Sequence, residues 1–210
     1  MDWDVPSVIP RQPGRRRLWL TSDEHYNHRR ILQYQGRPFS SVEEMNDQLV
    51  FRHNSVVKDG DVVIHIGDFS FGKGDDFGKI AQRLTGTHFF MDGSHDRSMR
   101  EFFTENQEWR RGEGRLFLLP KLFEFTFQKT KIVLCHYAMF SWWASHYTGS
   151  SVHFYGHSHG RFSSPKHAID IGVDTNDFFP YKIEEAISKA QNKARDEVSS
   201  ENQNGHAGNT

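Results

Sequence analysis

Residues 18–25 read LWLTSDEH, a short apolar run that ends directly in charged side chains. The run has the length and the β-prone composition of a buried strand. Asp23 and His25 should therefore lie just beyond the carboxyl end of that strand. Open α/β sheets bind their ligands at this position.

The same arrangement occurs twice more in the first half of the chain. Residues 61–68 read DVVIHIGD and residues 87–96 read THFFMDGSHD, and each apolar run ends in Asp or His side chains. Helices are predicted between the three strands, at about 40–59 and 75–84. Three strands should therefore deliver three polar clusters to one edge of a sheet.

The second half of the chain is richer in strands. Strands are predicted at 122–127, 131–135, 152–155 and 168–173, the first two as a hairpin, with a C-terminal helix from about 182 to 194. His136 follows the second of these strands, and the sequence GHSH at 156–159 follows the third. We predict an α/β fold, a two-sheet β-sandwich flanked by helices, with polar clusters along one rim.

Length and composition indicate one folded domain. A chain of 210 residues that is 36% hydrophobic can bury a substantial core. We assign the domain to 17–195, an N-terminal arm to 1–16 and a disordered tail to 196–210, where little can be buried.

The charge balance and the cysteine content exclude several classes of protein. Lys and Arg number 26 against 27 Asp and Glu, so the net charge of −1 gives no general attraction to nucleic acid or membranes. Cys135 is the one cysteine, which argues against a disulfide framework or a cysteine zinc site. We find no membrane span and no signal peptide, and we expect a cytoplasmic protein without a membrane partner.

The polar clusters carry metal-ligand chemistry. Carboxylates and neutral imidazoles bind borderline divalent cations, and the glycines beside them allow tight turns where such ligands can converge. The sequence therefore predicts a metal site assembled by folding from distant segments.

The order Asp-x-His, Gly-Asp, Gly-x-His-Asp, His, Gly-His-x-His resembles the calcineurin-like metallophosphoesterase superfamily, in particular its small phage and bacterial members without a cap domain. The resemblance covers about 18–185. It implies the four-layer fold of that superfamily and two divalent metal ions, manganese first, with iron, zinc, nickel or cobalt as alternatives. By the resemblance, the metal ligands are Asp23, His25 and His159 for one ion, His136 and His157 for the other, and Asp68 between them.

The resemblance also implies a reaction. A hydroxide shared by the two ions would attack a phosphodiester or phosphomonoester, such as a nucleotide or a nucleic-acid end. His95 would donate the proton to the leaving oxygen, and Asp96 would either orient His95 or cap a helix at 97–103.

Ser94 departs from the superfamily pattern, which has asparagine as a ligand of the second ion at this position. A serine hydroxyl is shorter and a poorer donor to a cation. We therefore expect weaker binding of the second metal and reduced activity.

Two other functions compete with this interpretation. A metal-dependent nuclease would share the site but should show a basic track, and a protein-binding scaffold of the same fold would have lost its metals. The oligomeric state stays open.

Some residues outside the motifs could also contact substrate. Aromatic side chains at 140–147 could form a lip that stacks a nucleobase, with core packing as the alternative. One or two of the arginines near the clusters could pair with phosphate: Arg29, Arg30, Arg37, Arg97 and Arg161. We expect His28 to precede a helix or to support the site, and His65 to be a hydrogen-bonded core residue.

Overall fold

The computed structural model describes residues 9–11, 13–73, 75–106, 115–145, 150–164 and 166–204, with side chains as far as 193. The strands are β1 Leu18–Thr21, β2 Val62–His65, β3 Thr87–Phe90, β4 Leu116–Leu118, β5 Leu122–Phe127, β6 Thr130–Cys135, β7 Ser151–Tyr155, β8 Ala168–Asp170 and β9 Tyr181–Lys182. The helices are α1 Ile31–Tyr34, α2 Val42–Val56, α3 Asp76–Ala81, α4 Arg97–Glu105 and α5 Ile183–Asn204, with a 3-10 turn at Val173–Thr175.

The first sheet has the strand order β4-β3-β2-β1-β9 in the described part of the chain. Strands β1 to β4 are parallel, and β9 pairs antiparallel with β1. Leu20 lies opposite Ile64, which lies opposite Phe89, so the three central strands end at the same level. The prediction that three strands deliver their polar clusters to one edge is confirmed.

The second sheet has the order β5-β6-β7-β8 among the described residues. Strands β5 and β6 form the predicted antiparallel hairpin, while β6, β7 and β8 are parallel. His136 follows β6, and residues 156–159 follow β7. The second sheet therefore adds its histidines at the carboxyl ends of parallel strands, as the first sheet does.

The main core lies between the two sheets. Side chains of a strand alternate between its faces, so Phe89 enters this core with Leu134, while Phe90 packs on the opposite side. There, helices α2, α3 and α4 cover the first sheet with Met45 and other apolar side chains. Helix α5 packs against the main core through Ile183 and its neighbours. The protein is thus a mixed α/β fold of two mixed sheets flanked by helices.

Some elements differ from the sequence-based prediction. Strands β4 and β9 were not predicted, because runs of three and two residues are too short to show a period. Helix α5 continues to Asn204, past its predicted end near Ala194 and into the segment expected to be disordered, while 205–210 lie outside the described residues.

The predicted N-terminal arm is described only in part. Residues 1–8 and 12 lie outside the described residues, and Ile9 is buried in the main core. None of the helices in the described part is long and apolar enough to cross a membrane.

Candidate metal centre

Six Asp and His side chains from both sheets meet at the shared rim. They form two groups whose donor atoms lie within 4.8 Å of one another: Asp23, His25 and His159 in the first group, and Asp68, His136 and His157 in the second. The first group joins the loop after β1 to the loop after β7. The second joins the loops after β2, β6 and β7. These are the residues and the grouping that the resemblance implies.

Asp68 lies between the two groups. Its Oδ2 atom is 3.3 Å from His136 Nε2 in its own group and 3.8 Å from His25 Nε2 in the other. One carboxylate therefore faces imidazoles from both groups. It is placed to be shared between two cations.

The backbone at this rim is wound into the left-handed region. The residues concerned, with their φ values, are Asp23 (58°), His25 (55°), Asp68 (54°), His157 (67°) and His159 (49°). This conformation costs about 1–3 kcal/mol for each non-glycine residue, and such residues cluster at functional sites. Five of the six donors adopt this conformation.

Hydrogen bonds fix the orientation of two of the histidines. His136 Nδ1 lies 2.9 Å from the carbonyl oxygen of Ile66, which can only accept, and His159 Nδ1 lies 2.7 Å from the Asp174 carboxylate. Each imidazole therefore carries its proton on Nδ1 and turns Nε2 toward the centre. This is the arrangement that a metal-binding histidine requires.

Among the described residues, two buried nitrogen atoms at the centre make no hydrogen bond of good geometry, His25 Nε2 and His136 Nε2, which only approach Asp68 Oδ2 at 3.8 and 3.3 Å. Buried polar atoms are nearly always satisfied, so a pair left open at one point needs an explanation. Both atoms belong to imidazoles among carboxylates, a donor set that suits manganese, iron, cobalt, nickel or zinc. The residues present fit a pair of divalent cations.

Arg37 and Asp174 support the first group from behind. Arg37 Nε and Nη2 donate to the two Asp174 oxygens at 2.8 and 2.7 Å, and Nη1 and Nη2 donate to the carbonyl oxygens of Glu24 and Asp23. The Arg37 side chain is fully buried. Its guanidinium thus ties the loop after β1 to the carboxylate that orients His159, and it is not available to substrate phosphate.

Asp96 has a role that the sequence did not predict. Its carboxylate accepts hydrogen bonds from the backbone N–H groups of Gly93, Asp68, Phe69 and Ser70 at 2.7–3.2 Å. It makes no side-chain cap to α4, and among the described residues none of its hydrogen bonds goes to the His95 ring. Both expected roles, orienting His95 and capping the helix, are corrected. Asp96 holds the loop that carries Asp68.

Ser94 and His95 both contact Asp68. The Ser94 hydroxyl donates to the two Asp68 oxygens at 3.1 and 2.9 Å, and the His95 backbone N–H donates to Oδ1 at 2.8 Å. The His95 side chain is exposed, with its ring centroid 5.4 Å from that of His25. Ser94 therefore donates to the Asp68 carboxylate, and His95 lies at the mouth of the centre.

The electrostatics of the centre reflect close packing of opposite charges. Burial raises the pKa of Asp23 to about 7 and lowers the pKa of His25 to about 2. Burial alone would lower the pKa of His136, but Asp68 and Asp23 raise it to about 9. For Asp68, burial acts to raise the pKa and His136 reverses the effect, leaving it below its usual value. Without a cation, a second proton on His136, at the Nε2 atom that faces Asp68, thus balances the carboxylates, and a bound cation would replace it.

The aromatic residues at 140–147 divide between core packing and exposure, and His28 lies beside the centre. Trp142 is a core residue that donates to Ser151 Oγ, Phe140 and Trp143 are exposed, and Tyr147 lies outside the described residues. His28 contacts His25, with their Nδ1 atoms 3.2 Å apart.

The prediction for His65 is confirmed. It lies inside the core, where its two ring nitrogens contact Glu24 Oε1 at 2.6 Å and His88 Nδ1 at 3.0 Å.

Comparison with known proteins adds a fold relationship. No model of a known protein family matches the chain. Over 89 residues it is 40% identical to the uncharacterized protein MJ1445 of Methanocaldococcus jannaschii, a match that covers 41% of this chain and 51% of that protein. The chain thus spans about half the length of this relative.

A solved structure shares the architecture. The crystal structure of AQ665, a protein of unknown function from Aquifex aeolicus, has a TM-score of 0.62 and 19% identity, covering 80% of this chain and 96% of that chain. At this level of identity the likeness concerns the fold alone.

Proposed function

We propose that this protein is a metal-dependent phosphoesterase of the calcineurin-like metallophosphoesterase superfamily, with the four-layer fold of that superfamily. The observation that carries the proposal is the position of Asp68 between two donor groups, His25 with its partners on one side and His136 on the other. Two divalent cations held in this way would polarise a phosphoryl group and activate water at neutral pH.

Each donor group would then have a role in hydrolysis. The first group would hold one cation, with His159 kept in place by Asp174. The second would hold the other, with His136 kept in place by Ile66. Both sets of donors belong to loops fixed by the sheets, so the reacting phosphate would meet a prearranged positive centre. The substrate class is a phosphodiester or phosphomonoester.

His95 is proposed to donate the proton to the leaving oxygen. Its side chain is exposed at the centre, and its backbone is held by the Asp68 carboxylate. The His95 ring is not a candidate metal ligand, because neither donor group includes it. With cations bound by the two donor groups, the His95 ring would be available to donate a proton to the leaving oxygen.

Metal analysis combined with a hydrolysis assay tests the proposal. The purified protein is loaded with manganese, its metal content is measured, and hydrolysis of bis-p-nitrophenyl phosphate and p-nitrophenyl phosphate is followed. We expect metal-dependent turnover that Asp68→Asn abolishes. Asp59→Asn, an exposed aspartate outside the centre, serves as the matched control and should behave as wild type.

Two results would reject the proposal. A protein that takes up no metal would be a scaffold of this fold. A metal-loaded protein that hydrolyses neither ester would leave the centre without the assigned chemistry.

A further inference from the structure

A cavity of about 730 Å³ opens directly beside the metal centre. One wall consists of candidate donors and His95, including His25, Asp68 and His159. The adjoining wall comes from the segment 27–35 together with Phe71, whose ring centroid lies 6.0 Å from that of His95. A molecule that places a phosphate on the centre would therefore extend into this cavity.

The wall formed by residues 27–35 and Phe71 is aromatic. The Phe71 ring stacks on His28, with ring centroids 4.6 Å apart and an interplanar angle of 15°, and 45% of Phe71 stays exposed. Tyr34 also lines the cavity and is 55% exposed. Two exposed aromatic side chains that line a cavity beside a polar centre can stack a flat ring of a ligand.

The same wall carries positive charge. Arg29 and Arg30 line the cavity and are exposed. Their guanidinium groups make no ion pair or hydrogen bond with any other residue in the described ranges, unlike the buried guanidinium of Arg37. In a chain with a net charge of −1, two unpaired arginines at one cavity attract an anionic ligand locally.

We propose that this cavity binds the base of a nucleoside phosphate, with the ring on Phe71 and Tyr34 and the phosphate on the metal centre. The inference rests on the proposed phosphoesterase function and narrows its substrate class to nucleotides. A base supplies the flat π-face that the aromatic wall can stack, and such stacking does not require a particular base. Arg29 and Arg30 would add local positive charge that attracts the anionic ligand into the cavity.

The residues of this subsite are not the aromatic residues that the sequence suggested. Phe140 and Trp143 do not line the cavity, and Trp142 belongs to the core. Phe71 follows the second metal-ligand cluster by three positions. A β-bridge pairs Tyr26 with Ser70, the residue before Phe71, and so brings Phe71 close to the loop that carries His28.

A comparison of the binding of AMP with that of ribose 5-phosphate isolates the contribution of the base to the affinity. The two share the sugar and the phosphate and differ in the base. Dissociation constants are measured by calorimetry on the manganese-loaded protein, with phosphate release recorded in the same samples. We expect AMP to bind at least about fivefold more tightly, the lower end of the range for a base stacked on an aromatic side chain.

Variants of Phe71 test whether the aromatic wall causes the preference for AMP. Phe71→Ala and Phe71→Leu should bring the ratio of the two dissociation constants close to one, whereas Phe71→Tyr should keep it. Phe51→Ala removes a phenylalanine of α2 that is even more exposed than Phe71 and lies outside the cavity, and it should leave the ratio unchanged. A thermal melt verifies that each variant is folded.

The inference is overturned if the wild type binds both compounds equally or binds neither. It is also overturned if folded Phe71→Ala keeps the preference for AMP. These outcomes are independent of the proposed function, which is judged by metal content and by hydrolysis of the nitrophenyl esters. Preferential AMP binding without any hydrolysis would support the subsite and reject the phosphoesterase.

Discussion

Replacing Arg37 by methionine should lower the free energy of unfolding of the protein and weaken metal binding at the centre. The guanidinium joins the loop that carries Asp23 to Asp174, and Asp174 in turn fixes His159. Methionine fills much of the same space but donates no hydrogen bond. The variant would leave the Asp174 carboxylate with a single side-chain partner in a largely buried position.

The magnitude follows from burial and from the pKa of Asp174. Burial would raise this pKa, but the hydrogen bonds from His159 and Arg37 lower it from 3.8 to about 2. A shift of this size corresponds to about 2 kcal/mol of stability at neutral pH. Removing one partner of a buried ion pair costs about 3–5 kcal/mol, because the other charge stays buried. We therefore expect Arg37→Met to lose about 3–5 kcal/mol.

The lowered pKa of Asp174 also determines how its contribution to stability changes with pH. Asp174 has a lower pKa in the folded protein than in the unfolded chain, so its contribution is complete above pH 4 and is lost as the pH falls through about 2. The difference in the free energy of unfolding between wild type and Arg37→Met should therefore shrink as the pH falls from 4 to about 2.

Urea unfolding of the chelated proteins, followed by circular dichroism, measures the loss. A manganese titration of the folded variant should show an affinity about 10–100-fold lower, the usual effect of removing support for a metal-binding histidine. Arg83→Met is the control, since Arg83 pairs with Asp47 at the surface, where both side chains are largely exposed. If Arg37→Met stays within about 1 kcal/mol of wild type and binds manganese equally well, the reasoning fails.

Three further changes probe the centre. Ser94→Asn should raise second-site manganese affinity and the rate on bis-p-nitrophenyl phosphate about tenfold, because an amide oxygen replaces a hydroxyl that donates to Asp68; no gain with excess manganese would show that Ser94 does not weaken the site. In the chelated wild type, the free energy of unfolding should fall as the pH rises from 6.5 through about 9, since folded His136 holds its proton more tightly than the unfolded chain does; a flat urea profile would contradict this, and His136→Ala should abolish the slope. Gly156→Ala would drive a Cβ into Ser22 Oγ and Asp23 Oδ2 and should cost about 1–3 kcal/mol and first-site metal binding, while Gly14→Ala, in open space, should match wild type in a thermal melt and a manganese titration.

The positions of the metal-centre residues could be predicted because each follows an apolar run. A run of buried-strand length such as 61–66 predicts a strand, and parallel strands bring residues like Asp23 and Asp68 to one edge. The resemblance supplied the grouping of the donors across the two sheets. The order of strands and the pairing of β9 with β1 could not be predicted, because no local pattern encodes them.

The residues that support the centre were missed or misjudged for a physical reason. Arg37 and Asp174 are 137 positions apart, and nothing near either residue in the sequence indicates its partner. Asp96 follows His95 directly, which suggested a contact between the two side chains. Its carboxylate instead turns to the backbone of the Asp68 loop, where N–H groups from two segments converge. Such roles depend on tertiary packing rather than on spacing.

Electron paramagnetic resonance of the manganese-loaded protein tests the central claim most directly, that Asp68 is shared between two cation sites. Two ions per chain, about 3.5–4 Å apart as in two-metal hydrolases, should give the spectrum of an exchange-coupled pair. Asp68→Asn should remove the coupling. A six-line spectrum of isolated manganese, or one ion per chain at saturation, would contradict the shared centre.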